Sequence, residues 1–144
     1  CCVGVQRFFE GRITESRARL EEAVAAFSDR SATGSVARLP MLPSDSYAVA
    51  LTHLGTVLWL AGETEAAWSR LDEAAARART LPRYPIGAFT EAYVSSYAAW
   101  VAILAERYEQ GRALHEHTRE LAESNGMLFW VAAGWSGAAA SAPR

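Results

Sequence analysis

The sequence predicts an all-α fold of about seven helices arranged in antiparallel pairs. Three observations carry that prediction. Alanine dominates the 144 residues, with glutamate, arginine and leucine behind it, and all four are good helix formers. Apolar positions recur at helical rather than alternating spacing. A set of small residues also returns at fixed distances from a turn, as it does where paired helices stack.

The elements follow in order. A short helical stretch from Val3 to Phe9 precedes a break at Gly11. From Thr14 to Phe27, Leu20, Ala23, Val24 and Phe27 recur at helical spacing, with Arg17, Arg19, Glu21 and Glu22 between them. Ser28 to Pro43 has no period, holds Gly34, Pro40 and several serines, and reads as a loop. Ser44 or Asp45 can cap a helix that runs to Ala61 and stops at Gly62. Glu63 to Thr80 is amphipathic and is closed by Pro82 and Pro85. Gly87 to Ala105 follows, then a corner at Glu106 and Arg107, then Tyr108 to Ser124. Asn125-Gly126 is a left-handed helix stop, and Met127 to Ala140 is a last apolar helix. The chain starts without methionine and inside a helical pattern, so it reads as one domain, 1–144, from a longer protein.

Composition excludes several functions. All 14 basic residues are arginine, which removes any Walker-type phosphate loop or lysine Schiff base. A net charge of -2 gives no general attraction to nucleic acid or anionic lipid. The longest strongly apolar run, Tyr97 to Ala105, is far shorter than the ~20 residues of a membrane span. Adjacent Cys1 and Cys2 cannot staple a fold, which points to a reducing cytoplasm.

The repeat is specific in its spacing. Gly55, Gly62, Ala67, Leu71 and Ala74 are matched at identical intervals by Gly4, Gly11, Ser16, Leu20 and Ala23. A weaker copy has Ala98-Ala99, the Glu106-Arg107 corner, Gly111, His115 and Thr118, and Ala133-Gly134 opens a fourth. Small residues at these places let two helices cross closely, and glycine permits the tight turn between them. This pattern resembles the tetratricopeptide repeat, with copies at roughly 1–28, 44–81, 86–124 and, in part, 127–144. The 51 residues from Gly11 to Gly62 and the 44 from there to Glu106 depart from that family's period of about 34. The phrases Gly11-Arg12-Ile13-Thr14-Glu15-Ser16-Arg17, Leu58-Trp59-Leu60-Ala61-Gly62 and Gly126-Met127-Leu128-Phe129-Trp130 are similar to the C-terminal helical regions of STAND-class ATPase regulators. Such regions occur in LuxR-type transcriptional regulators and multidomain bacterial adenylate cyclases. The resemblance implies a right-handed superhelix of helix pairs that binds a protein or peptide partner, or a small-molecule effector. It implies no catalysis and no cofactor in this segment, and no direct contact with nucleic acid or membrane. The family's carboxylate-clamping subclass needs lysine and asparagine; here lysine is absent and Asn125 lies in a turn.

Registering the copies places Phe8, Trp59, Tyr93, Trp100 and Trp135 near the concave face, as a candidate ligand or partner groove. The competing reading packs these rings between helices, with at least one left exposed. In His115-Glu116-His117 the two imidazoles point to nearly opposite sides of a helix and cannot share a metal; His115 fills an inter-helix position and His117 is solvated. His53 can face either the groove or a neighbouring helix. Arg77, Arg79 and Arg83 complement a helix C-terminus or, alternatively, hold an anion. The reading is a non-catalytic interaction or effector-sensing scaffold. Its rivals are a helical enzyme domain with an unrecognised site and a structural spacer. Leu128, Phe129, Trp130, Val131 and Trp135 form an apolar patch on the last helix, through which self-association is expected.

Overall fold

The computed structural model describes the backbone of residues 1–31 and 43–140, and the side chains of 1–28 and 43–134. Among the described residues there are seven helices and no strand: α1 (Cys2–Phe9), α2 (Ile13–Ser31), α3 (Ser46–Leu60), α4 (Thr64–Thr80), α5 (Ala88–Leu104), α6 (Tyr108–Asn125) and α7 (Leu128–Ala140). Helix α2 continues through Ser31, four residues past the end expected at Phe27. The rest of the expected loop, 32–42, lies outside the described residues. No described helix is long and apolar enough to cross a membrane.

The turns inside successive pairs are one structure repeated. Gly11, Gly62 and Glu106 adopt left-handed φ values of 75°, 83° and 59°. At each, the turn residue donates to a carbonyl three back and the next residue to one five back, as in Gly62 N–H to Trp59 O and Glu63 N–H to Leu58 O. Gly126, with φ 67°, repeats the motif between α6 and α7. Glycine has no Cβ to clash in that conformation, whereas Glu106 bears the strain.

The close crossing sits seven residues before each intra-pair turn and five after it. A Cβ on Gly4 would stand 2.8 Å from Leu20 Cγ, and one on Gly55 would stand 2.9 Å from Leu71 Cγ and 3.0 Å from the Ala67 carbonyl oxygen. In the third pair the small partner has changed sides: a Cβ on Gly111 would lie 2.7 Å from Ile103 Cγ1 and 3.3 Å from the Ala99 carbonyl. Ser16, at the position of Ala67 and Gly111, is fully buried and donates its hydroxyl to the Gly4 carbonyl at 2.8 Å. Leu20, Leu71 and His115 then fill the same buried place one turn further on.

Contacts between pairs are asymmetric. The odd helices touch one another in sequence (α1 with α3, α3 with α5, α5 with α7), whereas α2, α4 and α6 touch none of each other. Every residue of α3 from Ser46 to Leu58 is buried, so this uncharged helix is enclosed on all sides and forms the centre of the fold. Its start is fixed by Asp45, whose carboxylate accepts from Ala48 N–H at 3.0 Å and binds Arg77 of α4 at 3.0 Å. The Asp45 backbone N–H donates to Thr90 Oγ1 of α5 at 2.9 Å. One buried residue therefore ties three helices, its carboxylate holding α3 and α4 and its backbone N–H holding α5, and pairing with Arg77 offsets the penalty of burying the charge.

Two stability measurements follow. Ala67→Leu and Ala74→Leu, at fully buried crossing positions, are expected to overpack their contacts and lower stability by roughly 1–3 kcal/mol each in urea melts. Gly62→Ala meets no atom within 4 Å, so its expected loss of about 1 kcal/mol is purely backbone strain. Unchanged melts for both alanine variants would show the crossing to lie elsewhere.

Candidate functional site

Charge divides the molecule. Helices α1, α3, α5 and α7 carry only two charged residues, Arg7 and Glu91, against nineteen on α2, α4 and α6. The odd helices are therefore expected to be interior, yet one face of them is open. Phe9, Leu60 and Leu104 are 68%, 49% and 58% exposed, and each stands two residues before its intra-pair turn. Trp100, one turn before Leu104, is 61% exposed.

Behind this row runs a chain of rings. Phe8 and Phe9 of α1 meet His53 of α3 at centroid distances of 5.3 and 6.0 Å. His53 meets Tyr97 at 4.8 Å and Tyr93 at 5.9 Å, Tyr93 and Tyr97 stack at 4.8 Å, and Tyr97 leads to Trp100 at 6.3 Å. At the other end Tyr93 meets Trp130 of α7 edge-on at 5.8 Å. Four odd helices are thus joined by ring contacts, the T-shaped and offset arrangements that quadrupoles favour.

His53 is fully buried within this chain. Its Nε2 and the Tyr93 hydroxyl share a hydrogen bond of 2.6 Å, while its Nδ1 has no partner. Burial without a counter-charge pushes the imidazole pKa down to about 4, so the ring is neutral at physiological pH. Burial also pushes the Tyr93 and Tyr97 hydroxyls up, which keeps them protonated. His115, fully buried with neither ring nitrogen partnered, is held low by the same desolvation.

Of the five groove residues read from the sequence, Phe8, Tyr93 and Trp100 fall in the ring chain. Trp59 does not: it is half-buried and packs into the apolar clusters around Leu54, Leu71 and Val101. Trp135 lies on α7, outside the residues whose side chains are described. Phe9, Leu60, Leu104, His53 and Tyr97 complete the face. The sequence signal for the exposed trio was present, since all three share one register position before the turn. Of the patch expected on the last helix, Leu128 and Phe129 are exposed, whereas Trp130 and Val131 are half-buried against Ala88, Ala92 and Met127.

The histidine pair divides as its spacing requires: His115 is interior, and His117 is half-exposed and hydrogen-bonded to Glu91 Oε1 at 2.8 Å. In the arginine trio, Arg77 is committed to Asp45, whereas Arg79 and Arg83 are exposed. Among the described residues no group of three or more His, Cys, Asp or Glu side chains is placed to hold a metal ion. Comparison of the chain with protein-family models, with curated proteins and with solved structures gives no match.

The buried imidazole sets a pH dependence. An unfolded histidine titrates near 6.5 and the folded His53 near 4, so the unfolded chain takes up a proton first. Stability is full above about pH 6.5 and is lost as pH falls toward 4, by roughly 2 kcal/mol at pH 5 from His53 alone. His115 acts in the same direction. Urea melts at pH 7.5 and 5 are expected to show this loss in the native chain and a smaller one in His53→Phe. An identical slope in the variant would mean that His53 is not buried neutral.

Proposed function

We propose that this chain is a non-catalytic interaction scaffold of tetratricopeptide type, a right-handed superhelix of helix pairs from a cytoplasmic bacterial signalling or transcriptional regulator. The observation that carries the reading is the row Phe9, Leu60 and Leu104, exposed at one register position, with Trp100 exposed one turn before Leu104, on helices with almost no charge. Exposed apolar surface rimmed by charged helices is what a recurrent protein contact requires. A partner that covers this row must bring an uncharged face, because a charge buried against it finds no counter-ion. An apolar peptide or the apolar side of a helix meets that condition. The buried, neutral His53 is hydrogen-bonded to the Tyr93 hydroxyl within the ring chain, which serves as a rigid backing for the row.

Peptides selected from a display library against the purified domain test this reading. Trp100→Ala is expected to weaken the selected peptides by about thirtyfold, near the ~2 kcal/mol of a hot-spot tryptophan. Glu22→Ala, on α2, is the control and is expected to change little. Peptides indifferent to Trp100→Ala and Phe9→Ser would place binding on another surface.

Self-association through α7 is a second proposal, favoured by the exposure of Leu128 and Phe129. Light scattering over a concentration series is expected to show a mass increase that Phe129→Ser abolishes. A constant monomer mass would contradict it.

A further inference from the structure

The turns inside the three helix pairs share a backbone and differ in one side chain. Each spans three residues, Glu10-Gly11-Arg12, Ala61-Gly62-Glu63 and Ala105-Glu106-Arg107, with the middle one in the left-handed region. Glycine suits that conformation, and a Cβ placed on Gly11 or Gly62 would meet nothing within 4 Å. A side chain at the middle position is therefore strained and finds only solvent there. Glu106 holds that position with φ 59°, the one non-glycine residue of positive φ among the described residues. Its backbone completes the turn as glycine would, donating to the Ile103 carbonyl at 3.0 Å. Its carboxylate is exposed and has no hydrogen bond or ion pair among the described residues, so the fold gains nothing from it.

The other charges beside the apolar row are occupied. Glu10, next to Phe9, is bonded to Arg7 at 2.6 Å, and Glu63, three residues after Leu60, to Arg17 at 3.2 Å. Glu109 lies 3.6 Å from Arg112. Arg107, beside Glu106, is held over the Trp68 ring of α4, with Cζ 4.6 Å from its centroid. Leu104 precedes Glu106 by two residues, so their Cα atoms are at most about 7 Å apart. Trp100 is exposed one turn earlier on the same helix face, and Tyr108 is exposed on the other side of the turn. The free carboxylate thus borders the part of the row that carries the exposed tryptophan. At the edge of an apolar contact it attracts a cation and repels a carboxylate or an anionic headgroup. It therefore discriminates among partners that the apolar side chains treat alike.

We propose that Glu106 determines the specificity of the apolar row: the row takes a protein segment that carries lysine or arginine beside its apolar face, with that cation at the Leu104 end. This assignment rests on the row being a protein contact. It accounts for a strained residue at a position that is glycine in the turns at Gly11, Gly62 and Gly126.

The probe is a phage-displayed library of random peptides of about 12 residues, roughly three helical turns, selected on the full chain, on Glu106→Gln and on Glu106→Arg. Peptides that the native chain enriches and that Trp100→Ala releases are expected to carry lysine or arginine beside apolar residues. Glu106→Gln is expected to enrich neither charge, and Glu106→Arg to enrich aspartate or glutamate. A basic peptide from the native selection is expected to bind Glu106→Gln about fivefold more weakly at low salt, near the ceiling for an exposed ion pair. That difference is expected to close in about 1 M salt. Glu106→Gly is expected to lose the same affinity while melting at a higher temperature, which separates recognition from folding. Failure to select any Trp100-dependent peptide would overturn the protein-contact reading and this assignment with it. Trp100-dependent peptides without a basic bias, a basic peptide indifferent to Glu106→Gln, or a Glu106→Gly chain that melts no higher would overturn the assignment alone.

Discussion

Two helices joined by a three-residue turn can lie flush only where something small stands at their crossing, and the architecture depends on that constraint. Gly4 with Ser16, Gly55 with Ala67, and Ala99 with Gly111 meet it in three different ways. The pair needs the space and not a particular residue. One turn further on, the crossing accepts a leucine twice and a histidine once. At His115 the shape is satisfied and the chemistry is not, since both ring nitrogens are buried without partners.

Close pairing also determines which surfaces remain. The odd helices reach one another and exclude charge from their interior, while the charged even helices are left apart. An apolar row is therefore exposed at the ends of α1, α3 and α5, and a cleft opens between α4 and α6. The ion pairs on the even helices, such as Arg119 with Glu123 at 3.0 Å, are solvated and each worth less than about 1 kcal/mol. Asp45 with Arg77 differs, because the carboxylate is interior and one residue caps α3, binds α4 and reaches α5.

Much of this was legible in the sequence because local signals and tertiary demands agree. Helical spacing, Gly11, Gly62 and Asn125-Gly126 mark helix bounds to within a residue or two over most of the chain. The tertiary pairings were less visible. Asp45 and Arg77 are 32 residues apart, and the arginine's place near a helix end suggested a dipole interaction instead. His53 has no sequence feature that says which of its neighbours it faces; only the arrangement of α1 and α5 against α3 puts it among rings. Trp59 shares its register position with Phe8, but the extra neighbours of α3 draw it into the core. The buried indole N–H of Trp68 depends on the spacing of α4 and α6, which no local pattern encodes.

The central claim is that the open aromatic surface belongs to the odd helices. Broadening of the tryptophan indole signals by a soluble, uncharged gadolinium chelate tests it most directly. Trp100 is expected to broaden most strongly and Trp68, whose indole N–H is buried, least, with half-buried Trp59 and Trp130 between them. Protection of Trp100 together with strong broadening of Trp59 or Trp68 would contradict this arrangement of the helices.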